Sequence, residues 1–293
     1  MLFLKGSISG NKWVLGLIDV EIFCSGILET KKKRYIYIIL HVYRNNSMKT
    51  VSSINAEEVT KFEKLASEWW DAEGKFKPLH MLNPCRLEFI TDHLSFHFQK
   101  DMILEKKPLK GIKVLDIGCG GGLLCEPMAR MGAEVLGIDV VEKNIKVASL
   151  HAKKMNLDIK YRHISAENLL NEKPVFDVIL NMEVIEHVEN PEFFIGICSN
   201  LLQTNGLMFC STINKNLKSY LFAILGAEYV MQWLPKGTHD WNKFVKPNEL
   251  KKLFFNSGLT VKDTKGFVFN PLSWGWELSK SDVTVNYAVC ATR

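Results

Sequence analysis

The chain has 293 residues, 47 % of them hydrophobic, and a formal net charge of +5. That length and apolar content allow one domain with additions to bury a substantial core. The positive charge does not mark a nucleic-acid partner: residues 1–47 hold seven Lys/Arg and three acids, the remainder is close to neutral, and no basic stripe with interleaved aromatics runs through the main body. Seven cysteines without a C-x-x-C pair, most of them inside apolar patterns, fit buried thiols in a reducing compartment.

Residues 1–47 do not resemble the rest. Trp13–Leu28 is apolar but contains Asp19 and Glu21, each costly at a bilayer centre, and Tyr35–Tyr43 is too short to span. No basic stretch followed by an apolar run and a small-residue cleavage site marks a signal peptide. The segment reads as an extension outside the catalytic fold: sequence translated from upstream of a start at Met48, a disordered tail, or a membrane-facing arm. Residues 48–110 then form a helical cap. Val59, Phe62, Leu65, Ala66 and Trp69 share one helical face within 53–71, Pro78 and Pro84 interrupt the next stretch, and a second helical pattern runs over 85–98.

From Lys113 onward short apolar runs alternate with helical patterns. Strands are predicted at 113–117, 134–138, 159–163, 175–180 and 206–212, helices near 123–131, 142–155 and 190–202. A helix at 247–257 and strands near 259–265 and 283–290 close the chain. The alternation predicts an α/β fold with a doubly wound, mostly parallel sheet over residues 111–293, binding ligands at the carboxyl ends of its strands. An insertion at 215–236 carries many apolar and aromatic residues flanked by Lys215, Lys218 and Lys236. It reads either as a helical lid or as a segment dipping into lipid headgroups.

The first strand runs into Asp116-Ile117-Gly118-Cys119-Gly120-Gly121-Gly122. Glycine accepts positive φ and lets a ligand approach the backbone, and a helix start adds partial positive charge. A dinucleotide fingerprint needs G-x-G-x-x-G, and Leu123 breaks that spacing. The Asp-x-Gly-x-Gly-x-Gly present here resembles motif I of class I S-adenosylmethionine (SAM) dependent methyltransferases. Asp139, ending the second strand, is placed to accept from ribose hydroxyls or to cap the helix beginning near Glu142; the two roles can coexist. Cys119 has no general base near it in sequence and is read as a packing residue. After the fourth strand, Glu183, Glu186 and His187 would share one face if 183–187 formed a helical turn. Two carboxylates and an imidazole so placed can hold a divalent cation, orient the loop or serve as a base.

A narrower resemblance rests on Asn83-Pro84-Cys85-Arg86-Leu87, the glycine turn, Met182-Glu183-x-x-Glu186-His187-Val188 and Ser211-Thr212-Ile213-Asn214. It also includes Pro235-Lys236-Gly237-Thr238-His239-Asp240 and Asp282-Val283-Thr284-Val285-Asn286-Tyr287. From about Val51 to the C-terminus the chain is similar to the ubiquinone biosynthesis O-methyltransferases. The resemblance implies a seven-stranded Rossmann-like sheet and methylation of a catechol-type hydroxyl on polyprenylated ubiquinone precursors. It implies SAM as donor, held by Arg86, Gly118, Asp139 and Met182, and Mg²⁺ held by Glu183, Glu186 and His187 as the catalytic group. It further implies a location in the cytoplasm peripheral to the inner membrane, lipid contact through 215–236 and partners in a ubiquinone-biosynthesis complex. Ser165 departs from the Asp usual after the third strand. Two other readings compete: a metal-independent SAM methyltransferase of another small molecule, and a non-enzymatic lipid-surface module.

Overall fold

A computed structural model describes residues 52–216 and 241–293. The expectations for residues 1–47 and for most of the 215–236 insertion, and the motif at 235–240, lie outside the described residues. Among the described residues eight strands form one sheet: β1 Lys113–Ile117, β2 Glu134–Asp139, β3 Lys160–His163, β4 Phe176–Met182, β5 Leu202–Ile213, β6 Thr260–Asn270, β7 Gly275–Ser279 and β8 Asn286–Thr292, in the order β3-β2-β1-β4-β5-β8-β6-β7. The first five run parallel, β8 pairs antiparallel with both β5 and β6, and β7 closes an antiparallel hairpin with β6. The expected sheet therefore gains one strand. Strand order reverses between β1 and β4, which opens a crevice at their carboxyl ends.

Seven helices are described: α1 Ala56–Leu65, α2 Lys77–Phe98, α3 Cys125–Arg130, α4 Glu142–Lys154, α5 Ala166–Leu170, α6 Pro191–Leu201 and α7 Pro247–Asn256. Their starts follow local chemistry. Asn55 caps α1 by accepting from the Glu57 and Glu58 N–H groups, Asn190 caps α6 by accepting from Phe193, and Pro191 and Pro247 occupy first-turn positions that need no N–H. Contrary to expectation, α2 begins before Pro84 and continues through it. The proline removes one backbone donor from the helix, and the Asn83 amide beside it ties the same turn to the Leu123 carbonyl at 3.0 Å.

Side-chain alternation along β1 feeds two cores. Leu115 and Ile117 join Ile179, Ile195 and Phe254 on one face. Val114 joins Leu180, Phe89 and Phe209 on the other, where α2 lies. Rings of Phe89, Phe209 and Phe267 meet edge to face there, each buried aromatic contributing on the order of 1.5–3 kcal/mol. This packing holds the carboxyl ends of β1, β2, β4 and β5 at one rim. All six cysteines among the described residues are free and buried, and no described helix is long and apolar enough to cross a membrane.

Candidate active site

One cavity opens at that rim, lined at one end by Gly118, Cys119, Asp139 and Ser165, at the other by Glu183, Glu186 and His187, with Arg86 and Met182 also in its wall. The glycine turn follows β1 as expected, and Gly118, Gly120 and Gly122 all adopt positive φ. Its helix starts at Cys125, two residues later than expected. The turn is locked to β2: the Cys119 N–H donates to the Ile138 carbonyl at 3.0 Å, and the Gly120 N–H to Asp139 Oδ2 at 2.9 Å. Asp139 Oδ1 accepts from the Val141 N–H at 2.7 Å. The carboxylate thus shapes the turn and the entry to α4 while still facing the cavity. Burial raises its pKa, against the pull of the Val141 and Gly120 N–H groups.

A reason for the glycines that sequence reading missed is Trp69. A Cβ on Gly120 would sit 2.3 Å from its ring and one on Gly121 2.4 Å from its Cβ, so the indole, not a ligand, occupies that space. Trp69 stacks on Phe76 and donates to Asn144, which donates in turn to Asp139. The ligand-facing part of the turn is Gly118–Cys119. Trp69 shows in the sequence only as one apolar position of a helical face, and nothing local pairs it with a turn some fifty residues later.

Arg86 reaches the cavity from α2 with 4 % of its surface exposed, and its Nε and Nη2 carry no hydrogen bond. Glu183 Oε1 lies 3.4 Å from Nη2. A guanidinium does not neutralise itself by losing a proton, so this buried charge has capacity for an anionic group, such as the carboxylate of an amino-acid moiety. Asp116, beneath the turn, accepts from the Cys125 thiol at 3.1 Å. Burial, reinforced by the nearby Asp139 charge, pushes its pKa up to about 7. At Ser165 the hydroxyl caps α5 by accepting from the Asn168 N–H, which engages the group that stands where an Asp is usual.

At the other end the helical turn expected over 183–187 does not form. Only Ile185–His187 makes a 3₁₀ turn, and Glu183 sits at φ +58° in the left-handed region. Each side chain of the expected trio finds its own partner. Ser211 Oγ donates to Glu183 Oε1 at 2.6 Å, Thr212 Oγ1 donates to Glu186 Oε2 at 2.8 Å, and His187 Nδ1 meets Glu58 Oε2 at 3.0 Å. Burial, then repulsion from Glu183, raises the Glu186 pKa. Burial works in the same direction on Glu58. There the hydrogen bond and charge of His187, with Lys61 and Lys243, prevail and hold it at about 2. No group of three His, Cys, Asp or Glu among the described residues is placed to hold a metal. The donors for a cation line the cavity, but with Glu183 facing Arg86 and His187 turned to Glu58 their arrangement does not fit one. Ser211, Thr212 and Glu58 are the contributors that sequence reading did not place at the site.

A parallel sheet with its glycine turn, strand-end acid and crevice at the switch point defines a class I methyltransferase, and residues 88–264 match the methyltransferase domain family. The plantazolicin methyltransferase BpumL, solved with a monoazolic desmethylPZN analog and SAH, shares this fold at 17 % identity. Its TM-score is 0.54, over 81 % of this chain and 98 % of that one. The ubiquinone biosynthesis O-methyltransferase of Roseobacter denitrificans is 54 % identical over 242 residues, 83 % of this chain and 97 % of that protein. That of Cereibacter sphaeroides is 53 % identical over 246 residues, 84 % and 99 %. The chain belongs to the ubiquinone biosynthesis O-methyltransferase family; it is an O-methyltransferase with SAM as its methyl donor.

Proposed function

We propose that this cavity transfers the methyl group of SAM to a catechol-type hydroxyl of polyprenylated ubiquinone precursors. The steps would be 3-demethylubiquinol to ubiquinol and 3-polyprenylbenzene-1,2-diol to 2-methoxy-6-polyprenylphenol. The observation that carries this reading is the chemistry of the cavity's two ends. The donor end offers an unsatisfied buried guanidinium and a strand-end carboxylate, suited to the carboxylate and ribose of SAM. The acceptor end gathers acids and an imidazole, suited to a hydroxyl that must lose its proton. A phenol with pKa near ~10 is mostly protonated at neutral pH, so transfer needs a group that takes that proton as the oxygen attacks. His187, whose imidazole lines this end of the cavity with Nδ1 against Glu58, is the base we assign. Arg86 and Asp139 fix the donor, and the enclosing wall aligns oxygen, methyl carbon and sulfonium for in-line displacement.

No step is assigned to Mg²⁺, because the side chains that would hold it are engaged elsewhere. The polyprenyl tail gives the apolar 215–236 segment a use at a lipid surface, and a peripheral site on the cytoplasmic side of the inner membrane, within a ubiquinone-biosynthesis complex, follows from that substrate. The test is methyl transfer from labelled SAM to a short-chain prenyl catechol. Labelled methoxy product that persists in chelator is the expected result. Binding of S-adenosylhomocysteine without transfer to any catechol would overturn the acceptor assignment, and strict dependence on added Mg²⁺ would overturn the metal-free step.

A further inference from the structure

Glu58 is 129 residues from His187 in sequence, yet its carboxylate meets the imidazole Nδ1 at 3.0 Å. Its place on α1 makes the contact informative. Asn55 is the N-cap and Glu58 the third residue of the helix, the position from which a glutamate ordinarily folds back onto the N-cap N–H. Here the carboxylate faces the cavity instead. Three further features keep it there. Lys243 and Lys61 lie 3.8 and 3.6 Å from it, and the Phe62 ring meets His187 edge-on at 5.1 Å. The chain entering α1 is anchored separately: the Ser53 N–H donates to Glu167 Oε1 at 2.8 Å, and the Ser53 carbonyl accepts from the Glu189 N–H at 2.9 Å. His187 is therefore gripped by a segment that other bonds already fix across the cavity, and Glu58, Phe62 and His187 all line that cavity.

We propose that Glu58 is a positioning residue for the methyl transfer: by accepting from Nδ1–H it sets the tautomer and ring angle of His187 and leaves Nε2 as the nitrogen offered to the acceptor hydroxyl. This rests on the acceptor reading under Proposed function. A carboxylate that orients an imidazole in this way is a recurrent device, and losing such a partner costs activity from ~10–100-fold beside metal-bound histidines to about 10⁴-fold in a Ser-His-Asp triad. Glu58 also differs from an ordinary surface ion pair. It belongs to the segment roofing the donor pocket, so the imidazole is aligned only when that roof is in place.

Two readouts test it. In steady-state kinetics with a prenyl catechol, Glu58→Ala lowers kcat ~10-fold or more while affinity for S-adenosylhomocysteine stays within about threefold. Glu58→Gln, whose amide oxygen still accepts from Nδ1–H, recovers most of the loss. In a His187→Ala background, Glu58→Ala adds less than about twofold, because its route to the reaction is already gone. The second readout needs no substrate: ¹⁵N NMR of the His187 ring is expected to show Nδ1–H in the wild type and in Glu58→Gln, and loss of that preference in Glu58→Ala. Equal losses in both backgrounds, or an unchanged tautomer in Glu58→Ala, would overturn the role of Glu58. If the tautomer responds but no catechol is methylated, the acceptor reading fails while the Glu58–His187 pairing stands.

Discussion

The two ends of the cavity are built differently. The donor end is mostly backbone and neighbours in sequence: the turn at 118–122, Asp139 nineteen residues after Gly120, and Asn144 one turn into α4. The acceptor end is side chains from four separated segments, Glu58, the loop 183–187, Ser211–Thr212 and Lys243. Backbone sites tolerate little variation in residue type, because a positive φ or an absent Cβ admits few substitutes. Side-chain sites depend instead on the fold bringing distant groups together, and each group can trade one partner for another.

Substitutions at each end put this contrast to the test. The largest effect is expected at Gly120, where alanine would combine φ +53° with a Cβ 2.3 Å from Trp69. Gly120→Ala should cost roughly 2–4 kcal/mol, read as a fall in Tm, with part of the loss recovered by Trp69→Leu. Next is Arg86→Met, which should weaken S-adenosylhomocysteine binding roughly 10- to 100-fold in calorimetry. Because it removes a buried charge that the apo protein leaves partly unpaired, it should not lower apo Tm. A parallel loss of binding and stability would mean that Arg86 is structural.

The two ends also carry opposite pH signs. Asp116 keeps its proton in the folded state up to about 7, while the unfolded chain loses it near the ordinary value of 3.8. The folded state therefore binds more protons across that window, and this contribution to stability falls as pH rises from about 4 to 7. Asp116→Asn should stabilise the protein at pH 8 by on the order of 1–3 kcal/mol, read as a rise in Tm, and leave Tm nearly unchanged at pH 4. Glu58 is the reverse. Held at about 2 against an ordinary 4.5, it stabilises above that value and its contribution fades as pH falls toward 2. The pair is partly exposed, so Glu58→Ala should cost no more than ~1 kcal/mol in stability at pH 7, the smallest effect of the series and well separated from its expected effect on kcat.

The same division explains which parts of the molecule are legible in its sequence. Strands β1, β2, β4 and β5 lie within a few residues of their apolar runs, because buried parallel strands are nearly continuous hydrophobic segments, whereas β3, Lys160–His163, is a partly exposed edge strand without such a run. The hairpin strand β7 has no such signal: Gly275–Ser279 is short, half-buried and opens on a glycine. Pro84 misleads because a proline usually marks a helix boundary, and here it stands inside α2. Arg86, Gly118, Asp139 and Met182 do meet at one cavity. Glu183, Glu186 and His187 reach it too, but the left-handed Glu183 places them off a common helical face. No local pattern announces that Glu58 or Trp69 belongs to the site, because each acts on residues fifty or more positions away.

The central claim is that donor binding and proton handling occupy separate ends of one cavity. It is tested most directly by measuring S-adenosylhomocysteine affinity and labelled methyl transfer side by side in the wild type, Asp139→Ala and His187→Ala. The two-ended cavity predicts that Asp139→Ala loses both, whereas His187→Ala keeps affinity within about threefold and loses transfer ~100-fold or more. Equal loss of affinity in both variants, or transfer that survives His187→Ala undiminished, would contradict it.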